Sequence, residues 1–280
     1  MSRPADWQIR GGSVPLSRPV VVGILNVTPD SFSDGDEHRA PGAALSHAER
    51  MLAAGADIID VGGESTRPGA PPVPADEEWS RVSPVIEPLA RRGAVVSIDT
   101  TKRDVAERAL GAGAAIVNDV SGLEVSPDIA DLCAREGAGL VVMHMRGDPR
   151  SMQEDTTYDD LLGEVAGWLD ARARRARDAG CAAAQIVVDP GIGFGKSVEG
   201  NLALLAGTSA IMALGYPVLV GPSRKSFIGK ILNVPVEQRV EGTIAACLAA
   251  LERGARLFRV HDVGPVRRAL DMADAIRRAG

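Results

Sequence analysis

The chain has 280 residues, of which 45% are hydrophobic and 24% charged, and its formal net charge is −6. That is ample apolar material for one large core, and it excludes a strongly basic nucleic-acid surface; an anionic ligand has to be held by local cations. No apolar run is long enough to span a membrane and the N-terminus has no signal-type apolar stretch, so neither a membrane nor a nucleic acid is an expected partner.

Residues 1–19 read as a short arm or hairpin around Trp7, Ile9 and Gly11-Gly12. From residue 20 to 280 the chain alternates. Short β-branched or aliphatic runs at 20–25, 58–61, 95–98, 115–117, 140–143, 186–188, 218–220 and 257–260 predict eight strands. None alternates cleanly between apolar and polar, as expected of strands buried on both faces. Helical patterns lie at 43–53, 77–91, 103–112, 128–136, 158–179, 201–212, 238–253 and 266–277. Pro84 and Pro88 predict that the second of these is interrupted or starts late. Gly55, Gly113, Gly137 and Gly254 stop four of the helices, each followed by Ala and then a strand,. Eight βα units in one undivided stretch predict an α/β fold of the (β/α)8 TIM-barrel type, a single domain; a doubly wound open sheet is the competing reading. Cys133, Cys181 and Cys247 are widely spaced without a CxxC pair, which argues against a disulfide framework or zinc site and predicts a reducing, cytoplasmic setting,.

A barrel of this kind carries its active site at the C-terminal ends of its strands. Here those ends are Asn26, Asp60, Asp99, Asn118-Asp119, Met143-His144-Met145, Asp189, Gly221 to Lys225, and Arg259 with His261-Asp262. One polar strand end is ordinary; eight together are hard to explain by solvation. The sixth strand runs into DPGIGFGK (189–196), where Pro190 fixes φ and three glycines let another molecule approach the backbone,. It is not a nucleotide loop. A Walker A pattern ending at Gly195-Lys196-Ser197 needs Gly where Pro190 stands, and a dinucleotide fingerprint from Gly191 needs Gly where Lys196 stands,.

The polar ends sort into two chemical sets. Asp99, Asn118, Asp189 and Lys225 supply acceptors, one mixed group and a donor, which fits the edge of a flat heterocycle with an amino group, ring N–H and carbonyl. A buried ion-pair network supporting the barrel is the other reading of the same four. Asn26, Thr66, Arg67, Arg259 and His261 fit phosphate oxygens, with Asn26 offering an oxygen to a hard cation such as Mg2+. Ser223, Arg224 and Ser226 precede an apolar segment and predict a helix start able to hold an anion. The loops at 27–35, with Phe32, and 62–69, with Arg67-Pro68, read as covers that exclude water.

These residues lie in motifs that resemble dihydropteroate synthase over nearly the whole chain: GILNVTPDSFSDG (23–35), DIIDVGGESTRPGA (57–70), SIDTTK (97–102), IVNDVSG (116–122), VVMHMRG (141–147), VVDPGIGFGK (187–196), GPSRKSFIG (221–229) and FRVHDV (258–263). The resemblance implies a barrel enzyme, a transferase of folate synthesis. It would join 6-hydroxymethyl-7,8-dihydropterin diphosphate to 4-aminobenzoate with Mg2+, by a dissociative substitution. It further implies that Asp99, Asn118, Asp189 and Lys225 bind the pterin, with Met143 and Phe194 packed near it. Asn26 would ligate Mg2+, and Thr66, Arg67, Arg259 and His261 would hold the diphosphate. Phe32, Pro68 and Ser226 resemble the aminobenzoate pocket, where sulfonamides compete, and a homodimer is implied; the apolar run 244–251 fits a helix buried on two sides. A pterin-binding methyltransferase-type barrel, or a non-catalytic pterin-binding protein, is the alternative. The first would not need the diphosphate clamp of Arg67, Arg259 and His261, and against the second the loops needed only for turnover are intact in the sequence.

Overall fold

The computed structural model describes residues 4–28, 40–65, 69–147 and 151–279. Two short antiparallel strands come first, β1 (Asp6–Ile9) and β2 (Gly12–Pro15). Eight parallel strands follow: β3 (Val20–Asn26), β4 (Ile58–Gly62), β5 (Val96–Asp99), β6 (Ile116–Asp119), β7 (Gly139–Met143), β8 (Ile186–Asp189), β9 (Leu219–Val220) and β10 (Leu257–Val260). They pair in the order β8-β7-β6-β5-β4-β3-β10-β9, and a parallel bridge from Val188 to Val218 closes the ring. The predicted barrel stands, and the open sheet does not.

The helices lie outside the ring: α1 (Ala40–Ala53), α2 (Ala75–Arg91), α3 (Arg103–Gly111), α4 (Ile129–Glu136), α5 (Leu161–Asp178), α6 (Val198–Ala206), α7 (Thr208–Met212), α8 (Ser226–Leu232), α9 (Val240–Glu252) and α10 (Val263–Ala279). Two differ from the sequence reading. α2 runs unbroken through Pro84 and Pro88. The prolines are four residues apart and so share one face, toward solvent, where carbonyls left without a donor can bond water,. The opposite face, with Val82, Val85, Ile86 and Leu89, is buried and holds the helix in place. The helix expected over 201–212 is instead two, split at Gly207. At the break the Thr208 hydroxyl donates to the Leu204 and Leu205 carbonyls at 3.2 and 2.9 Å, and a Cβ at Gly207 would lie 2.5 Å from the Leu162 side chain, so packing of α5 requires glycine there.

Period-two alternation along the strands divides the apolar residues into two cores. Val21, Leu25, Ile59, Val61, Ile98, Val117, Leu140 and Val188 point outward against the helices. Val20, Val22, Ile58, Ile116, Val141, Val187, Leu219 and Leu257 point inward, where Trp7, Ile9, Val14 and Leu16 of the hairpin plug the N-terminal end. Trp7 Nε1 donates to the Gln185 carbonyl at 2.8 Å, which fixes the plug. The axis is filled: a cavity of about 10 Å3 lies there, lined in part by Trp7, Val22, Ile58 and Val141. A packed lower barrel leaves the other mouth as the place for a ligand.

Candidate active site

The alternation that buries Ile58, Ile116, Val141, Val187 and Leu257 on the axis decides what stands above them. Two residues on, the same inward face carries Asp60, Asn118, Met143, Asp189 and Arg259, with Ser97 and Asp99 on β5 and Asn26 at the end of β3,. Register pairs Asp99 with Asn118 and Met143 with Asp189, whereas Asp60 lies opposite Ser97 and Asn118 opposite Val141, a stagger of two residues between those strands. Hydrogen bonds among Asp60, Asp99, Asn118 and Arg259 join these polar strand ends into one connected layer across that stagger. Asp119, one residue off this phase, faces the other way and caps its own turn through Ser121 and Leu123.

Arg259 binds two carboxylates at once. Its Nε donates to Asp60 Oδ2 and its Nη2 to Asp99 Oδ2, each at 2.6 Å. Asn118 Nδ2 donates to the same Asp60 oxygen at 3.1 Å. Arg259, expected with the diphosphate holders, thus also ties the ring-reading layer together. Burial pushes the Asp99 carboxyl up to about 7 despite the opposing guanidinium, with Asp60, Glu78 and Asp119 adding to the rise. A buried carboxylate surrounded by others costs less when a proton or a ligand N–H is close.

The loop after β8 is built around its glycines. Gly191 N–H donates to Asp189 Oδ1 at 2.7 Å, and a Cβ on Gly191 would sit 1.9 Å from the His144 carbonyl oxygen. Burial raises Asp189 to about 6, against the Gly191 N–H, Lys196, Lys225 and Arg259. Lys225 stretches across Gly193 so that its Nζ lies 3.8 Å from the centre of the Phe194 ring. Burial and then Arg259 lower Lys225 to about 8, with Asp189 and Asp99 opposing. Met143 and Phe194 form one small apolar cluster with Val120, Met145 and Met152, a wall beside these polar groups.

On the anion side, Ser223 Oγ accepts the His261 backbone N–H at 3.1 Å and lies 3.0 Å from His261 Nδ1. The hydroxyl proton is then free for Nδ1, which leaves Nε2–H as the donor. Burial, then Arg259 and Arg224, lower His261 to about 3, so the ring is neutral. Arg224 is engaged elsewhere, with Asp262 at 2.9 and 2.6 Å. Ser226 opens α8 and is exposed. Asp99 Cβ, Asp99 Oδ2 and Asn26 Oδ1 lie 3.5, 3.6 and 3.8 Å from the position a Cβ on Gly62 would take, so the missing side chain leaves a small open cradle beside the two oxygens. Such a cradle fits a hard cation that draws its other ligands from substrate and water. Among the described residues no cluster of three His, Cys, Asp or Glu exists that would cage a metal alone. Phe32, Thr66, Arg67 and Pro68 lie outside the described residues.

Three features were not singled out from the sequence. Asp60 counted only as a strand end, although its Oδ2 joins Asn118 to Arg259. Lys196, read as loop, is buried and donates to His144 O and Phe194 O, with Nζ 2.9 Å from His144 Nδ1. Lys102 bridges Glu64 and the fully buried Glu78, 2.6 Å from the latter. Apart from the Phe194 carbonyl, two residues from Lys196, the partners of all three are distant in sequence, so no local pattern marks them. A cavity of about 290 Å3 opens beside the Lys102 bridge, lined by Asp99, Glu64, Lys102, Val120 and Met145 among others. It shares Asp99 with the layer above the axis but sits off-centre, toward the loops after β4 to β7.

Known proteins share this architecture along nearly the whole chain. The family model described as pterin binding enzyme covers residues 22–261. A dihydropteroate synthase from Synechocystis is 48% identical over 263 residues, 93% of this chain and 91% of that protein. The Yersinia pestis dihydropteroate synthase solved with a sulfonamide drug superposes with a TM-score of 0.92 at 45% identity, covering 98% of this chain and 99% of the other. The Burkholderia cenocepacia enzyme complexed with 7,8-dihydropteroate gives 0.89 at 45% identity, covering 100% and 99%.

Proposed function

The chain belongs to the pterin-binding family of the dihydropteroate synthases, and we propose that its barrel mouth joins (7,8-dihydropterin-6-yl)methyl diphosphate to 4-aminobenzoate, giving 7,8-dihydropteroate and diphosphate. The observation that carries this reading is one polar layer. Asp99, Asn118, Asp189 and Lys225 stand over a sealed axis, beside Arg259 and a neutral His261. Asp99 and Asp189 accept from ring N–H groups, Asn118 accepts and donates, and Lys225 donates to a ring acceptor. Met143 and Phe194 flank the ring.

His261 Nε2–H and the Arg259 guanidinium, with Thr66 and Arg67, hold the diphosphate. Preorganised donors there stabilise charge as the C–O bond to the methylene breaks. The electron-rich ring spreads the positive charge left on the methylene. The amine of 4-aminobenzoate then attacks that carbon, a C–N bond forms, and the nitrogen loses a proton. Asn26 Oδ1, facing the cradle over Gly62, is the chain's ligand for Mg2+, which when bound supplies charge neutralisation on the diphosphate oxygens. Phe32, Pro68 and Ser226 form the aminobenzoate side, where sulfonamides would compete, in line with the Y. pestis complex. Residence in the cytoplasm agrees with three buried free cysteines,. We also infer a homodimer.

The test is diphosphate release from a mixture of the pterin diphosphate, 4-aminobenzoate and Mg2+. Release that requires the amine, with dihydropteroate formed in equal amount, is expected. Ring binding without release would point instead to a passive pterin-binding protein, and methyl transfer from a folate to a methyltransferase.

A further inference from the structure

We propose that Asp60 is a positioning residue for ring recognition, the shared acceptor that orients both Asn118 and Arg259; the proposal rests on the pterin reading of the site given above. Asp60 is 1% exposed and stands on the inward face of β4, level with Ser97 on β5. A single oxygen, Oδ2, takes the Asn118 amide at 3.1 Å and the Arg259 Nε at 2.6 Å. Its two donors come from β6 and β10, strands separated in the ring by β5, β4 and β3. One carboxylate thus coordinates groups that local sequence cannot bring together.

For Asn118 the consequence is a defined orientation. An amide side chain can turn end for end with little change of shape, and only its partners distinguish oxygen from nitrogen. A carboxylate paired with a guanidinium accepts and does not donate. It therefore selects the nitrogen, and Asn118 Oδ1 is turned away from Asp60. A ring N–H approaching the layer then meets acceptors on Asp99, Asp189 and Asn118 together.

For Arg259 the consequence is an anchored pivot. The guanidinium is held at Nε by Asp60 and at Nη2 by Asp99. A ring N–H that reaches Asp99 competes with Nη2 alone. Nε stays on Asp60, and the released end of the fork remains at the mouth rather than leaving with solvent. Asp60 touches no substrate in this scheme; it acts through its two partners.

The experiment measures the affinity for 6-hydroxymethyl-7,8-dihydropterin, a ring without diphosphate, in Asp60→Asn, Asn118→Ala and the double variant. The Michaelis constant for the aminobenzoate substrate is measured alongside. Asp60→Asn is expected to weaken ring binding roughly tenfold, the scale of a hydrogen bond to a charged group, and to leave that Michaelis constant within about twofold of the wild type. In the Asn118→Ala background the same change is expected to cost less than it does alone, leaving only the part carried through Arg259,. Losses that multiply in full would show that Asp60 does not act through Asn118, and would overturn the proposal while leaving the ring-reading site intact. Unchanged ring affinity in Asn118→Ala would overturn both. Should Asp60→Asn fail to fold, a crystal structure of the wild type with the dihydropterin decides: Asn118 Nδ2 and Arg259 Nε both remain on Asp60 Oδ2, or the idea falls.

Discussion

Asp99 and Asp189 are acids held where water solvates them poorly, and their chemistry follows from that. Burial lifts them from the ordinary carboxylate range to about 7 and about 6. Both shifts are upward, so the folded state binds more protons than the unfolded chain between about pH 4 and 7, and their contribution to stability is lost as pH rises through that window. Ligand binding runs the other way. Ring N–H groups need unprotonated acceptors, so affinity for 6-hydroxymethyl-7,8-dihydropterin is expected to rise from about pH 5 to about 7.5 as these groups ionise. Titration calorimetry across that range checks it. Asp99→Asn should remove the upper part of the rise and weaken binding at the alkaline end by roughly tenfold; a flat wild-type profile would exclude both acids as acceptors. At this scale the sequence was informative about Asp99, Asn118, Asp189 and Lys225, because each ends an apolar run or follows one closely. It was silent on the pairing of Asp60 with Asn118 and Arg259, since 58 and 199 residues separate the partners.

At the scale of elements, apolar period and glycine stops located all eight strands to within about two residues, the usual precision of a boundary,. Helices were harder. Proline is a local prohibition, yet α2 overrides it twice because the missing donors face water and the buried face keeps its packing. That arrangement carries a cost with no benefit visible at Pro84. Pro84→Ala restores an N–H within reach of the Ser80 carbonyl and is expected to stabilise the protein by about 1–2 kcal/mol, the helix-interior penalty less the entropy proline removes from the unfolded chain. A urea unfolding midpoint reads this out, and a lower midpoint in the variant would show that the proline itself serves packing. The break at Gly207 is the converse case: a single glycine, kept free of a side chain by Leu162 of α5, is a weak local mark of a helix boundary.

For the whole molecule, the outer surface poses a question the barrel does not answer. α10 exposes Met272 and Ile276, each 63%, and the neighbouring α9 leaves Ile244 and Leu248 half-buried. The α9 run expected to be buried on two sides is buried on one, the face that carries Ala246, Cys247, Ala250 and Leu251. A second copy of the chain on these helices would cover the rest. Sedimentation is expected to give twice the 29.2 kDa chain mass, and Ile276→Glu to shift it toward the monomer by placing a charge in an apolar contact; a monomer at every concentration would remove the homodimer.

The sequence by itself determined the barrel, its eight strand ends and the types of group they carry, because burial on both faces and the turn after each strand are written in neighbouring residues. Which of those groups touch was decided only by closure of the ring. Asp60, Asp99, Asn118 and Arg259 meet because the side-chain period of two turns all four inward and the stagger of the paired strands, with Ser97 rather than Asp99 opposite Asp60, brings their side chains within reach of one another; register is a property of paired chains rather than of any one of them,.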